Sequence, residues 1–283
     1  MNTKNIEKMK TILITGTSSG IGKATAKKFS NAGWNIIATM RSPEKEEELK
    51  NSDTMLVTKL EVTDINSIQK AINVGIEKFG KIDALMNNAG FGTFGAFETA
   101  TQEQVEQLFN VNVYGYMNVT RAILPHFREN GKGTLLNVSS QGGRITFPAC
   151  SLYHATKFAI EGFTESLSYE LISENIEVKI IEPGATDTSF VGSANMGKRD
   201  SIINYQQFDK TALETYAILN EQFQSTSEEI AEVVLEAAND QTGRLRYMIG
   251  EDTKRLLNVR NTMEDQEYVD YMRETYIPGF LNN

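Results

Sequence analysis

The stretch TILITGTSSGIGKATA, residues 11–26, joins a short apolar run to a glycine-rich turn and then to a helical pattern. The run TILIT predicts a buried strand, and glycines follow it at 16, 20 and 22 with the spacing GxxxGxG. Glycine permits a tight turn and the close approach of a pyrophosphate, and the N–H groups at a helix start attract an anion. The stretch therefore predicts a strand–turn–helix unit that binds nucleotide phosphates. The alternative is a glycine-rich turn with no ligand.

Six further β-rich runs follow, with amphipathic helical patterns between them. The predicted strands are residues 35–40, 55–60, 83–87, 133–139, 177–182 and 244–250, and helical patterns include 21–31, 64–78, 101–129 and 152–173. Strands separated by helices form parallel units with right-handed crossovers. The sequence therefore predicts an α/β fold, a doubly wound parallel β-sheet of Rossmann type with about seven strands and helices on both faces.

Domain organisation follows from the lack of internal repeats, low-complexity tracts and Pro/Gly/Ser linkers. We expect one dinucleotide-binding domain over residues 1–283, with a substrate-loop insertion at about 185–225 and a C-terminal extension after about 250. The insertion begins with ATDTSFVGSANMGKRDSIINYQQF (185–208), which has no clean period. A long excursion inside a compact α/β domain is often a functional lid, so we expect this one to cover a substrate.

Composition and charge exclude several classes of protein. The 283 residues are 40% hydrophobic and 23% charged, as in an ordinary globular protein, and the net charge of −9 disfavours binding to nucleic acid or anionic membranes. The polar start MNTKNIEKMK and the lack of a long apolar run predict neither a signal peptide nor a membrane span. Cys150 is the only cysteine, which suits a reducing compartment, and we expect a cytoplasmic protein. No Cys/His/Asp cluster suggests a metal, and His126 and His154 are interpreted as surface or capping residues.

The residues after the second predicted strand bear on the choice of nucleotide. An NAD site typically has an acidic residue there that accepts a hydrogen bond from the ribose hydroxyls, whereas an arginine accommodates the 2′-phosphate of NADP. The sequence reads ATMRSPEK (38–45), so Arg41 follows the strand and Glu44 is the nearest acid. A guanidinium can fork onto a phosphate that a carboxylate would repel. We therefore expect NADP(H), with NAD(H) as the alternative; without a ligand, Arg41 would simply cap a surface turn.

The stretch SLYHATKFAIEGF (151–163) places Tyr153 and Lys157 four residues apart, on one face of a predicted helix. A tyrosine hydroxyl has an ordinary pKa near ~10, too high for an effective base at neutral pH. An ammonium about 4 Å away at an effective dielectric near 20 is worth ~4 kcal/mol, so we expect Lys157 to lower the pKa of Tyr153, an effect that desolvation opposes. With the right neighbours the pair predicts a proton-transfer device; taken alone, it equally fits two surface residues.

Six short motifs occur together, each at a predicted strand end or helix. They are TGTSSGIG (15–22), NNAG (87–90), NVNVYG (110–115), NVSS (137–140), YHATK (153–157) and PGATDT (183–188). With these motifs in this order, the chain resembles the short-chain dehydrogenase/reductase family, in the subgroup marked by TGxxxGxG and YxxxK. The resemblance extends from Thr15 to about Gly250 and is greatest to the branch that includes hydroxysteroid and retinol dehydrogenases.

The resemblance implies four catalytic residues, Asn112, Ser140, Tyr153 and Lys157. The family usually places the catalytic serine 13 residues before the tyrosine, which selects Ser140 over Ser139. In the family the tyrosine exchanges the proton, the serine holds the substrate oxygen, and the asparagine fixes a water that links the lysine to solvent. Taken singly, Ser140 could be a turn residue, Asn112 a buried asparagine satisfied by backbone, and Lys157 a solvated side chain.

The resemblance also implies contacts with the nucleotide. Asn87 and Asn88 can tie adjacent strands together, and Glu61 and Val62 are assigned to the adenine ring, although the family more often has aspartate at position 61. The PGATDT segment meets the nicotinamide end. The implied set is Gly16, Ser18, Ser19, Gly20, Ile21, Gly22, Arg41, Glu61, Val62, Asn88, Ala89, Gly90, Tyr153, Lys157, Pro183, Gly184, Thr186 and Thr188.

These features predict an oxidoreductase that transfers hydride between NADP(H) and a small hydrophobic ketone or secondary alcohol. The expected substrate wall consists of Phe91, Phe94, residues 147–150, Phe190, Met196, Tyr205 and Phe208. A catalytically silent NADP(H)-binding regulator on the same fold is the main alternative. An epimerase or dehydratase of the extended branch is a weaker one, because its usual glycine spacing and acid after strand two are missing.

Two expectations concern association and the C-terminus. The helix 152–173 carries small and apolar residues on more than one side, and the corresponding helix of the family packs against its symmetry mate. The resemblance therefore implies a homodimer or homotetramer. The stretch 264–283, with its tyrosines, could cover a pocket, bind a partner or lie on its own core.

Overall fold

The computed structural model describes residues 9–187 and 203–280, and within these ranges seven strands form one sheet. The order is β3-β2-β1-β4-β5-β6-β7, and every neighbouring pair is parallel. The strands are β1 Thr11–Thr15, β2 Asn35–Met40, β3 Met55–Lys59, β4 Ala84–Asn87, β5 Gly133–Val138, β6 Ile176–Pro183 and β7 Arg246–Ile249. The predicted doubly wound parallel sheet is confirmed.

The described helices include every one that the sequence patterns predicted. They are α1 Gly20–Asn31, α2 Ile65–Phe79, α3 Gln102–Phe109, α4 Gly115–Glu129, α5 Ser151–Leu171, α6 Ile203–Phe223, α7 Ser227–Asn239, α8 Glu251–Thr262 and α9 Asp265–Tyr276. The predicted helix 101–129 is interrupted by a π-helical turn, Asn110–Tyr114, between α3 and α4. None of the helices in the described ranges is long and apolar enough to span a bilayer.

Within the expected insertion, residues 203–223 form α6. The mixed composition of this stretch hid its helical period from sequence analysis. Three residues given roles above, Thr188, Phe190 and Met196, lie outside the described ranges.

Helices cover both faces of the sheet, which explains why its strands are almost continuously apolar. On one face α1 and α7 pack against the strands through Phe29 and Val234, among others. On the other face α2, α4 and α5 contribute residues such as Ile72, Phe127 and Leu167. The inner strands are therefore shielded from water on both sides, whereas the edge strands β3 and β7 are partly exposed.

A third apolar cluster lies beyond the sheet, where α8 and α9 pack on the loop after β5. Ile145 in that loop belongs to one buried cluster with Leu256 and Leu257 of α8 and Tyr268 and Tyr276 of α9. Helix α9 of the C-terminal stretch thus packs on the protein's own core, and its Tyr276 also lines the cleft described below. This packing brings α8 to the carboxyl ends of the strands, where the order of the sheet reverses between β1 and β4 and a ligand crevice is expected.

The glycine turn gives a first testable prediction. A Cβ on Gly22 would lie 2.2 Å from the carbonyl oxygen of Gly16 and 2.6 Å from Nδ2 of Asn88, so Gly22→Ala requires the turn to move. We expect the free energy of unfolding, measured by urea denaturation, to fall by about 1–3 kcal/mol.

Gly162 provides the matched control, because it lies inside α5 with no atom within 4 Å of an added Cβ. Gly162→Ala should raise the free energy of unfolding by about 0.5–1 kcal/mol, since alanine is the better helix former. Equal effects of the two substitutions would contradict the packing described for Gly22.

Candidate active site

A cleft of about 590 Å³ opens where β1 to β6 end. Of the predicted site residues that the structure describes, all but Gly22 and Asn112 line it. Those lining it are Gly16, Ser18, Ser19, Gly20, Ile21, Arg41, Glu61, Val62, Asn88, Ala89, Gly90, Ser140, Tyr153, Lys157, Pro183, Gly184 and Thr186. Parallel strands end at one edge of the sheet, so motifs separated by up to 170 positions meet in one cavity.

The glycine turn packs directly on the neighbouring strand ends. The N–H groups of Gly16 and Thr17 both donate to the carbonyl of Thr39 at 3.0 Å. Gly16 has a φ of +73°, and a Cβ there would lie 2.9 Å from Cα of Ala89, so only glycine fits. The N-terminus of α1 faces the cleft. Because the Ser19 side chain does not cap the helix, its first N–H groups are open to an anion.

The two asparagines of NNAG tie the strands together, as predicted. Nδ2 of Asn88 donates to the carbonyls of Thr15 and Gly16 at 2.9 and 3.0 Å, which fixes the end of β1 against the end of β4. Nδ2 of Asn87 donates to Oδ1 of Asn137 at 2.9 Å, which links β4 to β5. These contacts keep the backbone of residues 88–90 at the cleft wall.

Arg41 is exposed at the end of β2, where it lines the cleft. Within the described ranges no carboxylate pairs with it. Of the glutamates that follow it in sequence, Glu46 and Glu48 both form ion pairs with Lys23 at 3.0 Å. Glu61 also lines the cleft, and its Oε1 accepts from the Thr63 hydroxyl at 3.2 Å.

Helix α5 places Tyr153 and Lys157 on the cleft side, next to Ser140. The buried Lys157 ammonium donates to the carbonyl of Val138 at 2.9 Å and lies 5.8 Å from the centroid of the Tyr153 ring. The hydroxyl of Ser140 accepts from the N–H of Gly142 at 3.1 Å and hydrogen-bonds to Tyr153. Strand β5 ends at Val138, so Ser140 lies two residues beyond the strand. The predicted trio is brought together.

The pKa values of Tyr153 and Lys157 are both dominated by burial. Burial raises the pKa of Tyr153 to about 12, against the lowering effect of its hydrogen bond with Ser140. Burial also lowers the pKa of Lys157 to about 8. In the chain by itself desolvation outweighs any lowering of the Tyr153 pKa by Lys157, whose ammonium is bonded to a carbonyl, so the lowering stays a prediction.

Asn112 is buried in the π-helical turn and does not line the cleft. Its Nδ2 donates to the carbonyl of Phe91 at 2.8 Å, its Oδ1 accepts from the N–H of Phe91 at 3.1 Å, and Nδ2 also lies 3.3 Å from the Thr156 hydroxyl. The amide thus holds the loop after NNAG against α5. A water-holding role for Asn112 stays a prediction.

His154 is not a surface residue, which corrects the interpretation made from sequence. Its side chain is buried, with Nδ1 2.7 Å from the carbonyl of Gly142, and Nε2 accepts from the N–H of Phe147 at 2.8 Å. This pair of contacts places the proton on Nδ1, and burial lowers the pKa of His154 to about 4. The neutral ring braces the loop between Ser140 and Tyr153.

A buried ionic cluster lies behind Lys157, and the sequence analysis missed it. Glu161, one helical turn after the lysine, pairs with Arg246 at 3.1 Å; Glu182 pairs with Arg144 and Arg246, each at 3.2 Å. Burial raises the pKa of Glu161, and burial together with Glu161 raises that of Glu182 to about 7. The negative charge of Glu161 acts to raise the pKa of Lys157 against the desolvation penalty. A glutamate four residues after the lysine was the only signal in the sequence.

The other half of the cleft is apolar. Phe91, Phe94, Phe147 and Cys150 line it as predicted. Tyr205 and Phe208 do not; they line a separate hollow with Phe97, so their expected place in the substrate wall is wrong. The wall is completed instead by residues that no motif marked, namely Tyr216, Leu219, Phe223, Leu256 and Tyr276.

Asp252 of α8 joins two loops at the floor of the cleft. Its Oδ2 accepts from Nε2 of Gln141 at 2.9 Å and from the N–H of Ala185 at 2.8 Å, and burial raises its pKa. A Cβ on Gly184 would lie 2.2 Å from Oδ1, so this glycine makes room for the carboxylate. The C-terminal extension thereby holds the segments that carry Ser140 and Pro183.

Known proteins resemble this chain over most of its length. The profile of the family described as short chain dehydrogenase matches residues 10–199. An uncharacterized oxidoreductase of Schizosaccharomyces pombe is 38% identical over 232 residues, 81% of this chain and 96% of the relative. An NADP-dependent 3-hydroxy acid dehydrogenase of the same organism is 36% identical over 235 residues, which are 80% of this chain and 85% of the relative. The crystal structure of a short-chain dehydrogenase from Streptomyces avermitilis matches with a TM-score of 0.81 and 30% identity, over 98% of this chain and 100% of that one.

The ionic cluster leads to a prediction about Lys157. Glu161→Gln removes the negative charge that opposes desolvation, so the pKa of Lys157 should fall below about 8, as measured by NMR titration of the labelled ammonium. Glu165→Gln is the control, because Glu165 also pairs with Arg246 but lies at the partly exposed edge of the cluster. An unchanged Lys157 pKa in Glu161→Gln would contradict the effect of the Glu161 charge on that pKa.

Proposed function

Since the chain belongs to the short-chain dehydrogenase family, we propose that it transfers hydride between NADP(H) and a hydrophobic ketone or secondary alcohol. The observation that carries the proposal is the meeting of Ser140, Tyr153 and Lys157 in the same cleft as the glycine turn. A bound nicotinamide nucleotide would supply or accept the hydride. The protein's own residues would then bind, orient and exchange the proton.

The residues around the glycine turn fit a dinucleotide. Gly16 leaves no space for a side chain between the turn and Ala89, so the backbone itself forms the wall on which a pyrophosphate would lie. The N-terminus of α1 offers N–H groups and the positive end of the helix dipole to phosphate oxygens. Val62, with Glu61 beside it, would hold the adenine ring.

Arg41 supports NADP(H) over NAD(H). It lines the cleft and lacks a carboxylate partner among the described residues, so its guanidinium is available to a 2′-phosphate. No acid directly follows β2 to repel that phosphate. The Schizosaccharomyces pombe relative that is 36% identical is named NADP-dependent, which agrees with this choice.

Proton transfer would proceed through Tyr153. Because its pKa is about 12, the phenol stays protonated at neutral pH and can donate to a carbonyl oxygen that becomes an alcohol. Ser140 would hold the same oxygen by a hydrogen bond, and Lys157 stays charged below its pKa of about 8, which favours the phenolate left behind. His154 and Asn112 would position the loops on either side and exchange no proton.

The apolar half of the cleft supports a hydrophobic substrate. Phe94, Phe147 and Tyr216 form edge-to-face contacts, with ring centroids 5.9 and 5.5 Å apart, and make a continuous aromatic wall beside Tyr153. Such a wall would bury the apolar body of a substrate. The polar groups that would act on its carbonyl lie together at Tyr153 and Ser140.

The first test deletes the phenolic oxygen. Tyr153→Phe should lower kcat/KM for NADPH-dependent reduction of a hydrophobic ketone panel by about 10²–10⁴-fold, because the proton donor is lost. The Kd for NADPH, measured by fluorescence, should change little. Tyr169→Phe, exposed on the same helix, is the control.

Two outcomes would count against this mechanism. Equal turnover in Tyr153→Phe would remove the tyrosine from the proton step. A wild-type chain that binds NADPH and reduces nothing in the panel would instead support the silent regulator.

A second test concerns the nucleotide. Arg41→Leu should lower the ratio of kcat/KM with NADPH to that with NADH by about 10–100-fold, the size of a lost charge-assisted hydrogen bond. Arg128→Leu is the control, since Arg128 is also exposed but lies outside the cleft. An unchanged ratio would show that the 2′-phosphate is bound elsewhere or not at all.

A further inference from the structure

The arginines of this protein divide into two groups by their partners. Five of the nine in the described ranges form ion pairs with carboxylates: Arg144, Arg244, Arg246, Arg260 and Arg273. The remaining four, in the same ranges, have no carboxylate partner. Of these, Arg121 and Arg128 lie away from the cleft, whereas Arg41 and Arg255 line it.

Arg255 is held by aromatic groups. Its Nη1 donates to the hydroxyl of Tyr271 at 3.0 Å, and its guanidinium carbon lies 5.5 Å from the centroid of the Phe223 ring. These two contacts orient the plane of the guanidinium but occupy only one of its five N–H donors. The side chain is exposed at the cleft, so the other donors can reach a ligand.

None of the acids in the described ranges forms an ion pair with Arg255. Glu251 pairs with Lys254 at 2.7 Å, and Asp270 pairs with Arg273 at 3.1 Å. Asp252 also lines the cleft; its buried carboxylate accepts through Oδ2 from Gln141 and Ala185, its Oδ1 has no hydrogen-bond partner among the described residues, and it forms no ion pair with Arg255. The described residues therefore supply no anion to Arg255, and its charge faces the cavity.

The surroundings of Arg255 are those of the apolar half of the cleft. Tyr276 lies between Phe147 and Tyr216, with ring centroids 5.3 Å from each, and Leu256 adjoins Arg255 in α8. Phe147 contacts the ring of His154, which is next to Tyr153 in sequence. A chain of aromatic contacts thus runs from the proposed proton donor toward the guanidinium.

We propose that Arg255 binds an anionic end group of the substrate, so that the substrate is an amphipathic carbonyl compound with an apolar body and an oxyanion, a carboxylate or a phosphate, at its far end. This inference rests on the proposed function and narrows its substrate class. An oriented guanidinium binds either oxyanion through two parallel hydrogen bonds, and a neutral end group gains none of that charge-assisted binding. Arg255 would act as a specificity-determining residue through KM.

The test uses matched substrates that differ only in charge. Methyl-ketone carboxylates of increasing chain length are compared with their methyl esters and with phosphate monoesters of similar length, in NADPH-dependent reduction. For the wild type we expect at least one anionic series to have a kcat/KM about tenfold above its ester. The series with the larger ratio identifies the oxyanion.

Substitution of Arg255 should abolish this preference. Arg255→Leu should bring the ratio of anion to ester close to one by raising KM for the anion. Arg255→Lys should restore part of the ratio, because an ammonium keeps the charge but not the fork. Arg128→Leu, exposed and outside the cleft, should keep the wild-type ratio.

The outcomes separate this inference from the proposed function. If the esters are reduced but the ratio is near one in the wild type, or is the same in Arg255→Leu, the inference is overturned and the proposed function stands. If the wild type reduces neither anion nor ester, the proposed function fails and the inference fails with it.

Discussion

The buried ammonium of Lys157, bonded to the carbonyl of Val138, is the contact on which the site depends. It ties the first turns of α5 to the end of β5, and so sets where Tyr153 lies relative to Ser140. A lone ammonium in this position would lose its charge to desolvation. Glu161 opposes that loss from one turn away, and Arg246 in turn balances Glu161. The site is thus coupled to the edge of the sheet through a chain of charges.

The loops around the cleft are each braced by one polar side chain from another element. Asn112 holds the loop after β4, His154 holds the loop after β5, and Asp252 joins that loop to the segment after β6. Loops are the least constrained parts of an α/β fold, yet a reaction site requires positions held to within a fraction of an ångström. Buried hydrogen bonds supply that rigidity without adding apolar bulk to the cavity.

The distribution of charge gives the cleft a character that the whole chain lacks. The net charge is −9, but many acids on the described surface are paired with lysines or arginines, as in the contacts of Glu46, Glu48 and Asp270. Arg41 and Arg255 face the cavity without such partners. Unpaired positive charges in the cleft of an acidic protein favour the binding of small anions, which suits a nucleotide-dependent oxidoreductase.

The sequence by itself determined the succession of strands and helices along the chain, the glycine turn, and the placement of Tyr153 and Lys157 on one face of a helix. Each of these depends on contacts within a few residues, so a period or a spacing records it. Only the tertiary structure decided that Tyr153 is hard to ionise, that His154 is buried, and that Tyr216 and Tyr276, not Tyr205 and Phe208, line the cleft. The ion pair between Glu161 and Arg246 joins residues 85 positions apart. Burial and long-range pairing arise from how distant segments pack, and no local pattern specifies them.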